Sequence, residues 1–335
     1  MTDILVIRWK SIGDVVFALP PVNALRTRFP KARITFLVSS ENVFVPEGFQ
    51  AVDRVWSIDR EALRSRRFIQ GWLGTARLLS DVRGAGFSLV VDLQGYGETA
   101  FFTRWSGAPT RWGYRAGGLR RLAYTFSMER TEGAHPVQGH LDLLSKAGLG
   151  SFEAGNSFHV PPLLEARALR FLAERGIGPG TPWAYLQPFT SASAKNWPLE
   201  RYLRLATHLR MGGCRLLWGG GERDMTAMLA AGVPGQELLS GLARPWVAAI
   251  LKHASVVVGG DTGFIHLAVA LGRPVVMVGN RNMVLPWSPN GLALRASTGS
   301  IMDVRLEDVI DVVVGRLGSR WSAHVGAGRA PVHGT

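Results

Sequence analysis

The stretch VVVGGDTGFIHLAVALGRPVVMVGN, Val256 to Asn280, decides how the chain is read. A valine-rich run ends in Gly259, Gly260, Asp261, Thr262 and Gly263. An apolar helical stretch follows, and a second valine-rich run begins at Pro274. The order is strand, tight turn, helix, strand. Strands that are apolar throughout are covered on both faces, which implies a parallel sheet sandwiched between helices.

Working outward, strand-like runs recur in both halves. They are ILVIR (4–8), RITFLV (33–38), RVWSI (54–58) and SLVVDL (88–93) in the first. In the second they are WAYLQP (183–188), CRLLWG (214–219), QELLS (236–240), SVVVGG (255–260) and PVVMVG (274–279). Two such series in 335 residues predict an α/β protein of two doubly wound domains. The helical stretch 163–176 followed by Gly- and Pro-rich residues places the boundary at 175/176. This gives an N-terminal domain over 1–175, a C-terminal domain over 176–321 and a flexible tail over 322–335.

Composition narrows the function. The single cysteine, Cys214, excludes a disulfide framework or a cysteine-rich metal site and reads as a core thiol. No apolar run is long enough for a membrane span, and the N-terminus reads as a strand, so a cytoplasmic setting is expected. The formal charge of +13 is spread over both halves: 22 Lys and Arg against 15 Asp and Glu in residues 1–170, and 16 against 10 beyond. Residues 104–130 hold six arginines and one acid, Glu129, a face suited to a phosphorylated substrate, an anionic membrane or nucleic acid.

In parallel sheets, ligands bind beyond the carboxyl ends of strands, where helix N-termini present free N–H groups. After 255–260, Thr262 and Gly263 start a helix suited to a phosphate. Asp261 is better placed to accept from sugar hydroxyls, and His266 lies in the first turn, within reach of an anion. After 183–188, QPFTSASAKNWPLERY (187–202) offers hydroxyls at Thr190 and Ser191 and a point charge at Lys195. After 214–219, Glu222 in WGGGERD suits a ribose diol. These three loops together predict a bound nucleotide diphosphate. In RWKSIGDVVFALP (8–20), Ser11 and Gly13 make a turn and Asp14 sits at the helix start. That acid is either a helix cap or a base for an acceptor hydroxyl.

RWKSIGDVVFALPPVNALRTRFPKARITFLV, VVDLQGYGETA, SAKNWP and GGDTGFIHLAVALGRPVV occur in the order found in the heptosyltransferases of lipopolysaccharide core assembly, and the chain resembles that family from about residue 3 to residue 290. The resemblance implies a GT-B fold, two Rossmann-like domains facing each other across a cleft. It implies inverting, metal-independent transfer of heptose from ADP-heptose to a lipid-linked inner-core acceptor, with no cofactor. By position in the motifs, Asp14 would be the base; Thr190, Ser191 and Lys195 would hold the diphosphate; Glu222 would hold the ribose and Leu242 the adenine. Asp261, Thr262, Gly263 and His266 would contact the donor's diphosphate and sugar. Lys10, Arg60, Arg64, Arg115, Arg120 and Arg121 are the acceptor-side cations. The turn GNRNMVLPW (279–287) departs from the family's GPT-like turn, which leaves open a different nucleotide sugar or a glycan or natural-product acceptor.

The amphipathic stretch 67–83 is either a core-facing helix with a solvated basic side or a contact with the inner membrane. A nicotinamide enzyme would need G-x-G-x-x-G after the first strand, which is missing. No nucleic-acid module is recognisable, so neither nucleic-acid nor purely nucleotide binding is favoured. A monomer is expected.

Overall fold

The structure is a computed structural model that describes residues 3–62, 68–115, 117–151 and 155–318. The chain divides into two compact units, one ending at His159 and the next beginning at Val160.

In the first unit, β1 (Asp3–Ile7), β2 (Arg33–Ser39), β3 (Arg54–Ile58), β4 (Leu89–Asp92), β5 (Thr110–Tyr114) and β6 (Phe126–Met128) form one sheet in the order β3-β2-β1-β4-β5-β6. Every pairing is parallel, with Ile4 opposite Ile34 on one side and Leu89 on the other. Ile4, Leu5, Val6 and Ile7 are fully buried because helices cover both faces, as their unbroken apolar run demands. The helices are α1 (Ile12–Val16), α2 (Leu19–Arg28), α3 (Phe44–Glu47), α4 (Phe68–Gly84), α5 (Gly97–Trp105) and α6 (Pro136–Leu144). Strands β5 and β6 escape a pattern search for good reason: TRWGY carries an arginine and a glycine, and FSM is only three residues long. Gly113 is required in β5, since a Cβ there would lie 2.2 Å from the Tyr124 ring.

The second unit opens with α7 (Pro162–Ala173). Its sheet has the order β11-β10-β9-β7-β8, built from β7 (Trp183–Gln187), β8 (Arg215–Trp218), β9 (Val256–Gly259), β10 (Val275–Gly279) and β11 (Gly291–Arg295), all parallel. Its other helices are α8 (Leu199–Met211), α9 (Glu222–Ala230), α10 (Arg244–Leu251), α11 (Gly263–Ala270) and α12 (Leu306–Leu317). The core on one face joins Trp197, Tyr202, Leu205, Trp218, Val258, Val278 and Val309.

Two expectations need correcting, and one further strand goes unforeseen. The boundary falls at 159/160, not 175/176. Helix α7 belongs to the second unit because Phe171 packs edge-on against Trp246 of α10 at 5.5 Å, and Glu165 accepts from Lys252 at 2.7 Å. QELLS (236–240) is no strand. Only a bridge from Leu238 to Trp218 forms, continued by Leu239 N–H donating to the Trp218 carbonyl at 2.9 Å. β11 was missed because it is a half-exposed edge without a valine run. The expected tail, 322–335, lies outside the described residues.

Candidate active site

In each unit one strand near the middle has its sequence neighbour on one side and a later strand on the other, so the loops leaving the two carboxyl ends diverge and open a crevice. In the second sheet this switch point lies between β7 and β9. The loops after both strands, 188–198 and 260–262, meet there. A Cβ on Gly260 would lie 2.5 Å from Thr190 Cγ2, so a glycine is required for the two loops to approach.

Within that crevice the hydroxyls have distinct roles. Thr190 shapes its loop: its N–H and hydroxyl both donate to Asn196 Oδ1, at 2.8 and 2.9 Å, and its hydroxyl also reaches the Ala192 carbonyl at 2.9 Å. Asn196, which the sequence reading passed over, is the residue that folds the cradle. Ser191 is exposed. Lys195 ends the short turn Ser193–Lys195 and makes no ion pair within 4 Å among the described residues, yet its charge acts on Asp261.

Thr262 is the N-cap of α11, but its side chain makes no cap hydrogen bond. Its Oγ1 is buried without a protein partner among the described residues. A buried hydroxyl in that state is costly unless something binds it. Gly263 follows in the first turn, whose N–H groups have no intrahelical acceptors. His266 is buried, and its Nε2 lies 2.9 Å from Asp261 Oδ1. The ring therefore braces the Asp261 carboxylate through Nε2. Burial opposes ionisation of Asp261, but the bond and charge of His266, the Val284 amide at 3.3 Å and the Lys195 charge outweigh it, so the carboxyl stays below its ordinary range.

Beside this crevice β8 delivers the third loop. Gly219 is obligatory, since a Cβ there would meet the Tyr185 hydroxyl at 1.6 Å. Gly221 caps α9, its N–H donating to Asp224 Oδ2 at 2.8 Å, and leaves Glu222 exposed as the first helical residue. Leu242, half-buried, follows the 238–239 segment that runs along the end of β8.

In the first sheet the switch point lies between β1 and β4. Ser11 caps α1 and Asp14 is its third residue. Ser11 N–H and Oγ donate to Asp14 Oδ2 at 2.9 and 3.2 Å, while Arg8 Nη2 lies 2.6 Å from Asp14 Oδ1. Arg8 is 7% exposed and donates through Nη1 to the Leu93 carbonyl at 2.7 Å. The Asp14 carboxylate thus combines the cap role with a buried cation partner, and 38% of its side chain stays open. Gly13 is buried and lets the turn pack tightly.

Sequence reasoning missed both Arg8 and Arg130. Arg130 Nη2 donates to the Leu93 and Gln94 carbonyls at 3.3 and 2.7 Å, and its guanidinium lies 3.8 Å from the centre of the Tyr114 ring. Two arginines therefore converge on one carbonyl beside Asp14. Among the described residues, Arg130 has no carboxylate within ion-pair distance. The signal was present in the cluster of arginines at 104–130, but nothing in the order of residues singled this one out.

The cations expected on the acceptor side divide. Arg60 turns inward, its side chain 12% exposed, paired to Glu98 at 3.3 Å and lying 5.5 Å from the Trp9 ring. Arg115 makes a loose surface pair with Glu129 at 3.6 Å. Lys10, Arg120 and Arg121 are exposed. Arg64 lies outside the described residues. Of the stretch 67–83, α4 buries Leu78 and Val82 and exposes Trp72 and Leu73. None of the described helices is long and apolar enough to cross a membrane.

Two doubly wound units, each with polar loops at its switch point, define the GT-B class of glycosyltransferases. Solved structures agree on the fold: a glycosyl transferase family 9 protein from Veillonella parvula (TM-score 0.84, 17% identity, 94% of this chain and 97% of that one) and Escherichia coli heptosyltransferase WaaC with ADP (0.77, 22%, 94% and 100%). Residues 75–309 match glycosyltransferase family 9 (heptosyltransferase). The chain belongs to that family and is a transferase. Among curated relatives, lipopolysaccharide heptosyltransferase 1 of Pseudomonas aeruginosa is 26% identical, covering 82% of this chain and 77% of its own. The Escherichia coli protein of the same name is 23% identical, covering 92% and 98%.

Proposed function

We propose that the protein transfers heptose from ADP-heptose to an anionic, lipid-linked inner-core acceptor of lipopolysaccharide, with inversion and without a metal. The relatives named above support the donor and acceptor classes. The observation that carries the chemistry is Asp14, a half-open carboxylate anchored on both oxygens. In this reading Asp14 takes the proton of the acceptor hydroxyl as that oxygen bonds the anomeric carbon. The bond from that carbon to the β-phosphate oxygen breaks, and its electron pair leaves on ADP. Lys195, the Thr262 hydroxyl and the N-terminus of α11 stabilise the departing diphosphate. Asp261, braced by His266, accepts from donor sugar hydroxyls. Glu222 takes the ribose, and Leu242 lies against the adenine. Arg130, with Lys10, Arg115, Arg120 and Arg121, meets the acceptor's carboxylates and phosphates. The setting is the cytoplasmic face of the inner membrane, touched by the aromatic and basic side of α4.

The test is a thermal-shift comparison of ADP-, UDP- and GDP-sugars followed by transfer to a lipid-linked acceptor, with the anomeric configuration of the product read by NMR. ADP-heptose is expected to stabilise most and to give inverted product. Preference for another nucleotide, or retained configuration, would overturn the reading.

A further inference from the structure

A cavity of about 580 Å³ lies along the free edge of the second sheet, against β8. Its walls include Glu174 and Arg175 after α7, Arg210 near the end of α8, Arg215 to Leu217 of β8, and Glu237, so three arginines face two acids. The nearest candidate-site residues, Gly219 to Glu222, leave the opposite end of β8, about 13 Å from Arg215 at the usual rise of a strand, with Leu217 the last wall residue on that strand. Nothing in the transfer reaction uses these arginines.

The three cations are not equivalent. Arg210 is neutralised: its Nη2 and Nε reach Glu237 at 2.6 and 3.3 Å, and Glu237 also accepts from the Trp218 indole at 3.0 Å. Arg175 and Arg215 have no carboxylate within ion-pair distance among the described residues. Arg175 is pre-set, its guanidinium 3.5 Å from the centre of the Phe171 ring and its Nη1 donating to the Phe171 carbonyl at 3.3 Å, while its Nε is buried with no hydrogen-bond partner among the described residues. Arg215 lies over the adjoining turn, its Nη2 3.6 Å from where a Cβ on Gly176 would sit. Residue 176 holds φ at +69°, so glycine is the residue that suits the turn bringing the two guanidiniums to one wall. On the outer side of β8 the backbone has no neighbouring strand before the Trp218–Leu238 bridge, and it adds polar groups to the same wall.

We propose that this cavity is a second anion site, separate from the donor site, for a small metabolite bearing more than one carboxylate or phosphate. Two planar guanidiniums without counter-charges, one with an orphaned buried N–H, match bidentate oxyanions. The volume is that of a small-molecule pocket, larger than a single inorganic ion needs. An occupant that reaches Arg210 competes with Glu237 for it. Glu237 also holds Trp218, the residue just before the Gly219–Glu222 loop, which gives the site a physical route to donor binding.

The test is calorimetric titration of the intact protein with citrate and with inorganic phosphate, at ionic strength matched with chloride. It is run on the wild type with and without saturating ADP, and on Lys195→Ala, Arg215→Gln and Arg175→Gln/Arg215→Gln. Saturable citrate binding at one site is expected, tighter than phosphate. It should persist with ADP present and in Lys195→Ala, and weaken about tenfold or more in Arg215→Gln. Arg215 is exposed, so that single variant keeps the fold even if the double one does not. Absence of saturable binding, unchanged binding in Arg215→Gln, or loss of binding in Lys195→Ala would overturn the proposal.

Discussion

Arg8 and Asp14 form an ion pair at the carboxyl end of the first sheet, Nη2 to Oδ1 at 2.6 Å, and the same guanidinium is tied through Nη1 to the Leu93 carbonyl. The arginine follows the last residue of β1 and the acid sits in the first turn of α1, so the pair fixes a carboxylate beside the strand end. A lysine at position 8 could offer a charge but not two divergent N–H groups on one rigid plane. Arg8→Lys is therefore expected to lower kcat about ten- to a hundredfold while leaving ADP affinity within about twofold, a split read by steady-state kinetics and calorimetry. Equal kcat in the variant would show that the pair only stabilises the turn.

Among the described residues the Lys195 side chain makes no ion pair, and its charge acts on Asp261, a cation placed for an anion that arrives later. Lys195→Ala should weaken ADP binding measurably and raise the barrier by about 2–4 kcal/mol, roughly a hundredfold or more in rate. Calorimetry with ADP and single-turnover transfer separate the two effects.

Arg130 is held by two carbonyls and the Tyr114 ring, so it presents one fixed guanidinium face. Arg130→Ala is expected to raise KM for the anionic acceptor about tenfold and to leave ADP binding unchanged. An increase confined to the nucleotide sugar would place Arg130 outside acceptor recognition.

His140 is fully buried, shares a 2.6 Å hydrogen bond with the Tyr114 hydroxyl, and is held well below its ordinary pKa of 6.5 by burial, then by the charges of Arg8, Arg130 and His135. The unfolded chain takes up a proton near pH 6.5 that the folded chain refuses. Stability is therefore fully present above that pH and falls below it, by about 1.4 kcal/mol per pH unit from this residue, until the depressed folded pKa is reached. Urea unfolding between pH 7.5 and 5.5 should show this slope, and His140→Gln should flatten it.

The Val256–Asn280 stretch made the second sheet legible, because strands covered on both faces announce themselves as valine runs. β5, β6 and β11 were not legible: a short or edge strand carrying Arg111, Gly113 or Arg295 has no such run. Within the site, the loops at 190, 222 and 262 were readable because chain order places them after strands. Their internal wiring was not. The Asn196 brace on Thr190, the His266 brace on Asp261 and the Arg8 clamp on Asp14 are set by tertiary geometry. The domain boundary was misplaced for a similar reason: Gly176 ends a helical stretch clearly, but which unit α7 packs on depends on Phe171 meeting Trp246.

Transfer by Asp14→Ala tests the central claim most directly. With ADP-heptose and a lipid-linked acceptor, the variant should bind ADP as the wild type does and lose at least about a thousandfold in turnover. Turnover at the wild-type rate would contradict the assignment of Asp14 as the base.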